Sequence, residues 1–445
     1  MFEHYSAEPV FNVKAVSLQA DIDPATLRAW ERRYGIPNPS RNSSGYRLYS
    51  MRDVAILRWL KAQLQNGLTI SKAVALLRSL EAANGHATAD ADSQARLPAS
   101  WQRLHDELIA AAMDFDELRI EQTLSEAFAL FPVEDVCTQL IYPTLTTIGE
   151  MWQAGEVSVS VEHFITNVFR RRLLALMASA PMPHWPGRIV AACAPGELHE
   201  MGLLTLALFL RRWGFHVIYL GQSLALARLN EALDKIHPDV ALLSASTLPT
   251  AASLLETVRH IRTQPGQEQL TVAFGGRIFN TLPILVAHVP AHRLDDDARK
   301  ATRQIAQWMV DPRTQPLLPA VTLPSLDAQE TLNLLRQYRA ELTAMVLRTA
   351  AATVDESIDY SCIASVVADL LDLIESALIF EEPSVLEHAL ELRSETYPPC
   401  VSPPRWLAHH AQLIGEACLA LLPELAQRRL APYFAALSSG FATTQ

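Results

Sequence analysis

The chain has 445 residues, of which 49% are apolar and 7% aromatic, and its formal net charge is −11. Such a length exceeds one compact domain, and the apolar content supplies several cores built mostly from Leu, Ala and Val. No apolar run approaches the roughly 20 residues of a membrane span, and MFEHYSAEPV at the start lacks the layout of a signal peptide, so a cytoplasmic location without a membrane partner is expected. Five cysteines (Cys137, Cys193, Cys362, Cys400, Cys418) form no C-x-x-C pair, which argues against a disulfide framework or a zinc site. The charge is uneven: residues 1–80 hold 11 Lys/Arg against 6 Asp/Glu, a local +5 that leaves −16 on the remainder. A basic end on an acidic body suggests that the end meets a polyanion.

That basic end, 8–82, reads as three helices and a loop. VKAVSLQA forms a short helix, DIDP a turn, and Pro24 opens a second helix with Asp23 as its cap. The second helix presents Arg28, Arg32 and Arg33 beside Trp30 and Tyr34, the placement of a helix that reads the major groove of double-stranded operator DNA. In the turn-rich stretch PSRNSSGYRLYS, Arg41, Tyr46 and Arg47 suit a wing that holds phosphates. A third helix begins near Met51. TLRAWERRYG and R-x-x-x-G-Y-R-x-Y closely resemble the MerR family of winged-helix regulators over about 70 residues. That family binds near-palindromic sites as dimers held by a long helix. None is evident after residue 82, so homo-oligomerisation, to a dimer or tetramer, is expected through another part of the chain.

Residues 83–97 are small and polar and read as a linker. Residues 98–182 have helical periodicity, closed by PMPHWPG. From 188 to 311 the period changes. RIVAACA, HVIYLG, DVALLSAS and LTVAFGG are short apolar runs separated by helix-length segments, the pattern of a doubly wound parallel sheet. Ligands of such a sheet sit at the carboxyl ends of its strands. A proline-rich linker, 312–326, leads to 327–445, where helical periodicity returns as a bundle of four to five helices. The expected fold class is thus multidomain α and α/β.

After the first of these strands comes E-x-H-x-x-G at Glu197, His199 and Gly202; LLSASTLPT and FGG follow later strands. The set resembles the cobalamin-binding domain shared by certain methyltransferases, mutases and regulators. That resemblance implies that His199 coordinates the cobalt in place of the cofactor's own base, while Glu197 accepts the other ring N–H. It implies that Gly202 lets a helix start close to the corrin. Ser244 and Ser246 would line the slot for the displaced tail, with Gly275 and Gly276 leaving it room. The family's S-x-L has Ser246 in place of leucine. The first loop lacks G-x-G-x-x-G, so a nicotinamide or flavin site is not indicated.

Ahead of the sheet, Trp152 is followed after nine residues by Glu162 and His163. W-x9-E-H resembles the four-helix cap of CarH-type light-responsive regulators. By that resemblance Trp152 packs against the adenosyl group of adenosylcobalamin and Glu162 bonds its ribose, with His163 close by. In those sensors a histidine follows the tryptophan; here it is Gln153, a poor cobalt ligand. Either His163 takes over, or the photoproduct keeps water, or the response differs.

The reading is a DNA-binding regulator, not an enzyme, controlled by adenosylcobalamin as a light sensor. The alternative is a regulator that senses cobalamin supply, or another input through 327–445, without photochemistry. A cobalamin enzyme subunit would need a substrate barrel of about 250 residues, and none is present. Cys400, Trp406, His409 and His410 are candidates for a second chromophore or haem pocket, against an assembly bundle without one.

Overall fold

The computed structural model describes residues 9–20, 22–41, 47–65, 99–267, 269–310, 314–353, 360–388 and 404–442, together with Ile70, Val74 and Leu77. It divides into two compact units, Met1–Arg96 and Leu97–Gln445. Tyr46, Cys400 and the linker 83–97 lie outside the described residues.

In the first unit α1 (Val13–Ala20) and α2 (Pro24–Tyr34) precede two short strands, β1 (Ser40–Arg41) and β2 (Arg47–Leu48), and then α3 (Met51–Gln65). Asp23 caps α2 as expected, its carboxylate accepting the Ala25 N–H at 2.8 Å, and Gly35 ends the helix in a left-handed conformation, φ +69°. Ser50 and Asp53 cap α3 reciprocally: the Ser50 N–H and hydroxyl donate to Asp53 Oδ2, and Ser50 Oγ accepts the Asp53 N–H. β1 and β2 pair antiparallel, Ser40 opposite Leu48 and Arg41 opposite Arg47, and a bridge from Phe11 to Tyr49 ties this wing to the start of the chain.

The second unit begins with four helices: α4 (Ala99–Met113), α5 (Glu117–Leu130), α6 (Tyr142–Gln153) and α7 (Val159–Ala178). A π turn, Cys137–Ile141, runs directly into α6. The sheet follows, with β3 (Arg188–Cys193), α8 (Met201–Arg212), β4 (His216–Gly221), α9 (Leu226–Ile236), β5 (Val240–Ser244), α10 (Leu248–Thr263), β6 (Thr271–Gly275), β7 (His292–Arg293) and α11 (Ala298–Val310). The strand order is β4-β3-β5-β6-β7 and every pairing is parallel. β7 escapes a sequence reading because two residues, one of them charged, carry no period. α8 and α11 cover one face of the sheet, α9 and α10 the other. The order reverses at β3, so the loops after β3 and β5 diverge and open a crevice between them.

α8 also belongs to the helical layer in front of it, whose core takes in Leu204, Leu208 and Phe209. Polar clamps surround this contact. Arg212 bonds Glu134 at 2.8 Å, Arg299 meets Asp135 and Thr138, and Arg170 of α7 meets Glu200, which is 2% exposed and also accepts the Tyr219 hydroxyl.

The C-terminal helices, α12 (Leu326–Thr353), α13 (Tyr360–Phe380), α14 (Pro404–Leu421) and α15 (Glu424–Ala442), do not stand apart. α10 lies between them and the sheet, and one core runs from Val190 and Leu243 through Leu255 to Leu370 and Ile414. Arg259 Nη1 donates to the Ile379 carbonyl at 3.2 Å, and Arg339 bonds both Asp372 and Glu375 at 2.7 Å. α14 and α15 are separated at Pro423, which cannot supply the N–H that would continue the first of them.

Removing a cation from a buried carboxylate leaves that charge uncompensated. Arg170→Ala should therefore lower unfolding free energy by about 1–3 kcal/mol, the discount reflecting the half-exposed arginine, and urea denaturation of the whole chain measures it.

Candidate cofactor site and DNA-binding surface

The crevice is organised by one carboxylate. The backbone continues the β3–β5 pairing past the strand ends through Ala194 N–H to the Ser244 carbonyl, 2.9 Å, then turns back with Glu197 N–H on Ala194 O. Glu197 is 0% exposed. Its Oε1 accepts the His199 backbone N–H at 2.7 Å and lies 2.7 Å from His199 Nδ1. Its Oε2 accepts the Ser246 N–H and the Thr250 hydroxyl, the latter at 2.7 Å. Burial pushes the Glu197 carboxyl up, but the hydrogen bonds and charge of His199, with the Thr250 hydroxyl, outweigh it and hold the group below the usual carboxylate range.

Facing a carboxylate, Nδ1 carries the proton, so in the neutral ring Nε2 keeps a lone pair, and the ring is 62% exposed. That is the geometry of a histidine able to hold a metal ion from outside the protein. Thr250, absent from the sequence reading, is the third partner. T-x-x-T at Thr247–Thr250, read as a helix start, is the signal that could have found it: the two threonines cap α10 reciprocally.

The small residues around the crevice have structural partners of their own. Gly276, φ +118°, has no space for a side chain because its Cβ would stand 1.9 Å from the Ala245 carbonyl oxygen. A Cβ on Gly275 would stand 3.4 Å from the Arg293 guanidinium. Glycine at 276 is thus required by the close approach of two loop backbones. Ser244 is buried and its carbonyl accepts Ala194; Ser246 serves Glu197 through its backbone N–H, which leucine would supply equally. A Cβ on Gly202 would make an ordinary 3.7 Å contact with the Tyr142 hydroxyl.

On the helical layer, Trp152 is half-buried at the end of α6, and Gln153 beside it is exposed. Glu162 and His163 stand in the first turn of α7, paired at 2.5 Å through His163 Nδ1, with the Thr166 hydroxyl donating to Glu162 at 2.9 Å. His409 is exposed and His410 fully buried, so adjacent positions on α14 send them to different surroundings. Among the described residues no group of three or more His, Cys, Asp or Glu could hold a metal ion.

In the first unit Arg28, Arg32 and Arg33 are exposed on α2. Trp30, expected beside them on the DNA-facing surface, is instead a core residue: 9% exposed and three positions after the buried Leu27, it packs with Val16, Leu57 and Leu60. Arg41 stands opposite Arg47 in the wing. Arg47 Nε meets both oxygens of Glu31, at 3.0 and 2.9 Å, fastening the wing to the exposed arginine helix.

Two tests follow from these contacts. A folded-state carboxyl held below its ordinary value gives stability that is present above that value and lost as pH falls through the lower one. Glu197→Gln should cost about 1–3 kcal/mol at pH 7, the deficit shrinking in acid, as read by urea denaturation at both pH values. Glu31→Ala removes a negative charge from a DNA-facing unit, which by simple Coulomb attraction strengthens binding. If the pair positions Arg47, binding to a selected operator duplex weakens instead by about threefold or more, measured by fluorescence anisotropy at fixed salt.

The chain matches the model of the MerR HTH family regulatory protein over residues 11–80 and two models described as B12 binding domain over 104–177 and 187–296. The HTH-type transcriptional repressor CarH of Myxococcus xanthus is 35% identical over 263 residues, 58% of this chain and 85% of that protein. CarA of the same organism, also an HTH-type transcriptional repressor, is 31% identical over 235 residues, 52% of this chain and 75% of that one. The regulator MlrA of Escherichia coli (strain K12) is 41% identical over 68 residues, 15% of this chain and 28% of that one. With likeness across most of the repressors' length, the chain belongs with CarH and CarA among the MerR-type HTH transcriptional regulators, a regulator rather than an enzyme, and the His199–Glu197 crevice lies inside its matched B12 binding domain.

Proposed function

We propose that this regulator is a light sensor that uses adenosylcobalamin to set its own oligomeric state and hence its hold on operator DNA. The observation that carries the reading is the Glu197–His199 pair: a buried carboxylate fixes the ring so that Nε2 is offered to a metal outside the protein. His199 would ligate the cobalt of a bound cobalamin, with Glu197 fixing the ring's tautomer and direction. Trp152 covers the adenosyl group and Glu162, with His163 beside it, receives the ribose; their likeness to the CarH-type cap supports these roles. Bound adenosylcobalamin supplies a cobalt–carbon bond that light can break.

The chain's part is to turn that event into a change of assembly. One DNA-binding unit grips a half-site weakly, and several held together gain by effective concentration. A surface shared by the helical layer and the sheet pairs with another subunit while the upper ligand is in place. Its loss separates the subunits and frees the operator. Gln153 favours a second reading, a cobalamin-sensing regulator without photochemistry, because an exposed amide at that position is a poor ligand for the cobalt left behind.

An absorption spectrum of the purified chain with adenosylcobalamin, before and after green light and alongside size-exclusion chromatography, separates the two. The light sensor converts to a cob(III)alamin spectrum unlike that of free cofactor and changes elution volume. Bound cofactor indifferent to light establishes the second reading. His199→Ala should remove histidine ligation from the dark spectrum; an unchanged spectrum refutes the assignment of the site.

A further inference from the structure

A glycine inside a helix destabilises it relative to alanine and therefore needs a reason. Gly149 lies in the middle of α6, and a Cβ built there meets nothing within 4 Å. Alanine would fit without a clash and would steady the helix. No neighbouring protein group explains the glycine, so the space in front of it is available to something else.

Its position on α6 says what that is. Successive residues turn by about 100°, and Thr144 and Ile148, both 0% exposed, mark the flank facing the core. Thr147, 3.2 Å from His105 Nε2, marks the side turned to α4. Tyr142, Leu145, Gly149 and Trp152, spaced by three and four, share the other side. Tyr142 there is 52% exposed, and its hydroxyl reaches within 3.7 Å of the Cβ position of Gly202, three residues beyond His199. The start of this side of α6 therefore faces the first turn of α8, directly after the loop that carries His199. The π turn immediately before Tyr142 sets the rotation that puts it there. Trp152 stands ten residues on, about 15 Å along the axis, so two aromatic side chains bracket a stretch whose glycine stands one turn from the tryptophan.

We infer that Gly149 determines which upper ligand the cobalamin site admits: its missing side chain gives room for a nucleoside-sized group beneath Trp152. A larger residue would leave space only for water, hydroxide or methyl. The inference rests on the cobalamin-binding reading of His199 and names a residue that the W-x9-E-H pattern does not include.

The test titrates the full-length chain, and its Gly149→Ala and Gly149→Leu variants, with adenosylcobalamin and separately with hydroxocobalamin in the dark, following tryptophan fluorescence. Gly149→Leu should keep hydroxocobalamin affinity within about threefold and weaken adenosylcobalamin by about tenfold or more. Gly149→Ala should shift the ratio the same way by less and raise the ligand-free thermal midpoint by about 1–3 °C, so the test survives if the leucine variant does not fold. Equal weakening of both ligands, or no change in either, overturns the inference. A wild-type chain that binds neither overturns the cobalamin reading of His199 as well, which keeps the two failures distinct.

Discussion

A carboxylate with no exposure to water must be paired, and in this protein one such group, Glu197, draws its donors from three separate segments. His199 comes from the loop after β3, Ser246 from the loop after β5, and Thr250 from the first turn of α10. None of the three can move without leaving part of the charge unsatisfied, so the mouth of the crevice is set before any ligand arrives. The exposed histidine is thereby held in one direction rather than left as a mobile surface side chain. Gly276 contributes from the fourth strand by letting two loop backbones approach more closely than any side chain would allow.

The helices that flank this crevice each pack on two neighbouring layers. α8, which begins just after His199, packs on the sheet with one side and inside the helical layer with the other, where Leu204, Leu208 and Phe209 sit. α10, which begins with Thr250, packs on the sheet and on α13. Both the cap-like layer and the C-terminal bundle are thus joined to the crevice by helices whose first turns border it. For a regulator this matters, because a change at the crevice has rigid elements in contact with both larger bodies.

The DNA-binding unit follows the same logic on a smaller scale. Glu31 on α2 holds Arg47 of the wing, so the wing and the arginine-bearing helix are set relative to one another by an internal ion pair. Trp30 contributes from beneath, as core, and leaves the exposed face to Arg28, Arg32 and Arg33. That division was hidden in the sequence, where an aromatic among arginines resembles a contact residue and only its spacing from Leu27 marks it as buried.

What local chemistry controls was legible in the residues themselves. Asp23–Pro24 starts a helix because a carboxylate and a missing N–H suit its first turn. Four apolar runs become parallel strands because residues buried on both faces admit no polar alternation. E-x-H-x-x-G marked the loop on which Glu197 and His199 pair because its offsets are local. Other features depend on groups far apart in the chain. Thr250 reaches Glu197 across 53 positions, Arg170 reaches Glu200 across 30, and Arg259 joins α10 to α13 across 120. The space before Gly149, and the close approach of Gly276 to Ala245, likewise exist only once helices and loops have packed. Caps, periods and motif offsets arise between residues a few bonds apart and are written in order along the chain. The partners of a buried charge and the shape of a cavity are set by which surfaces exclude water together, and only the tertiary structure decides that.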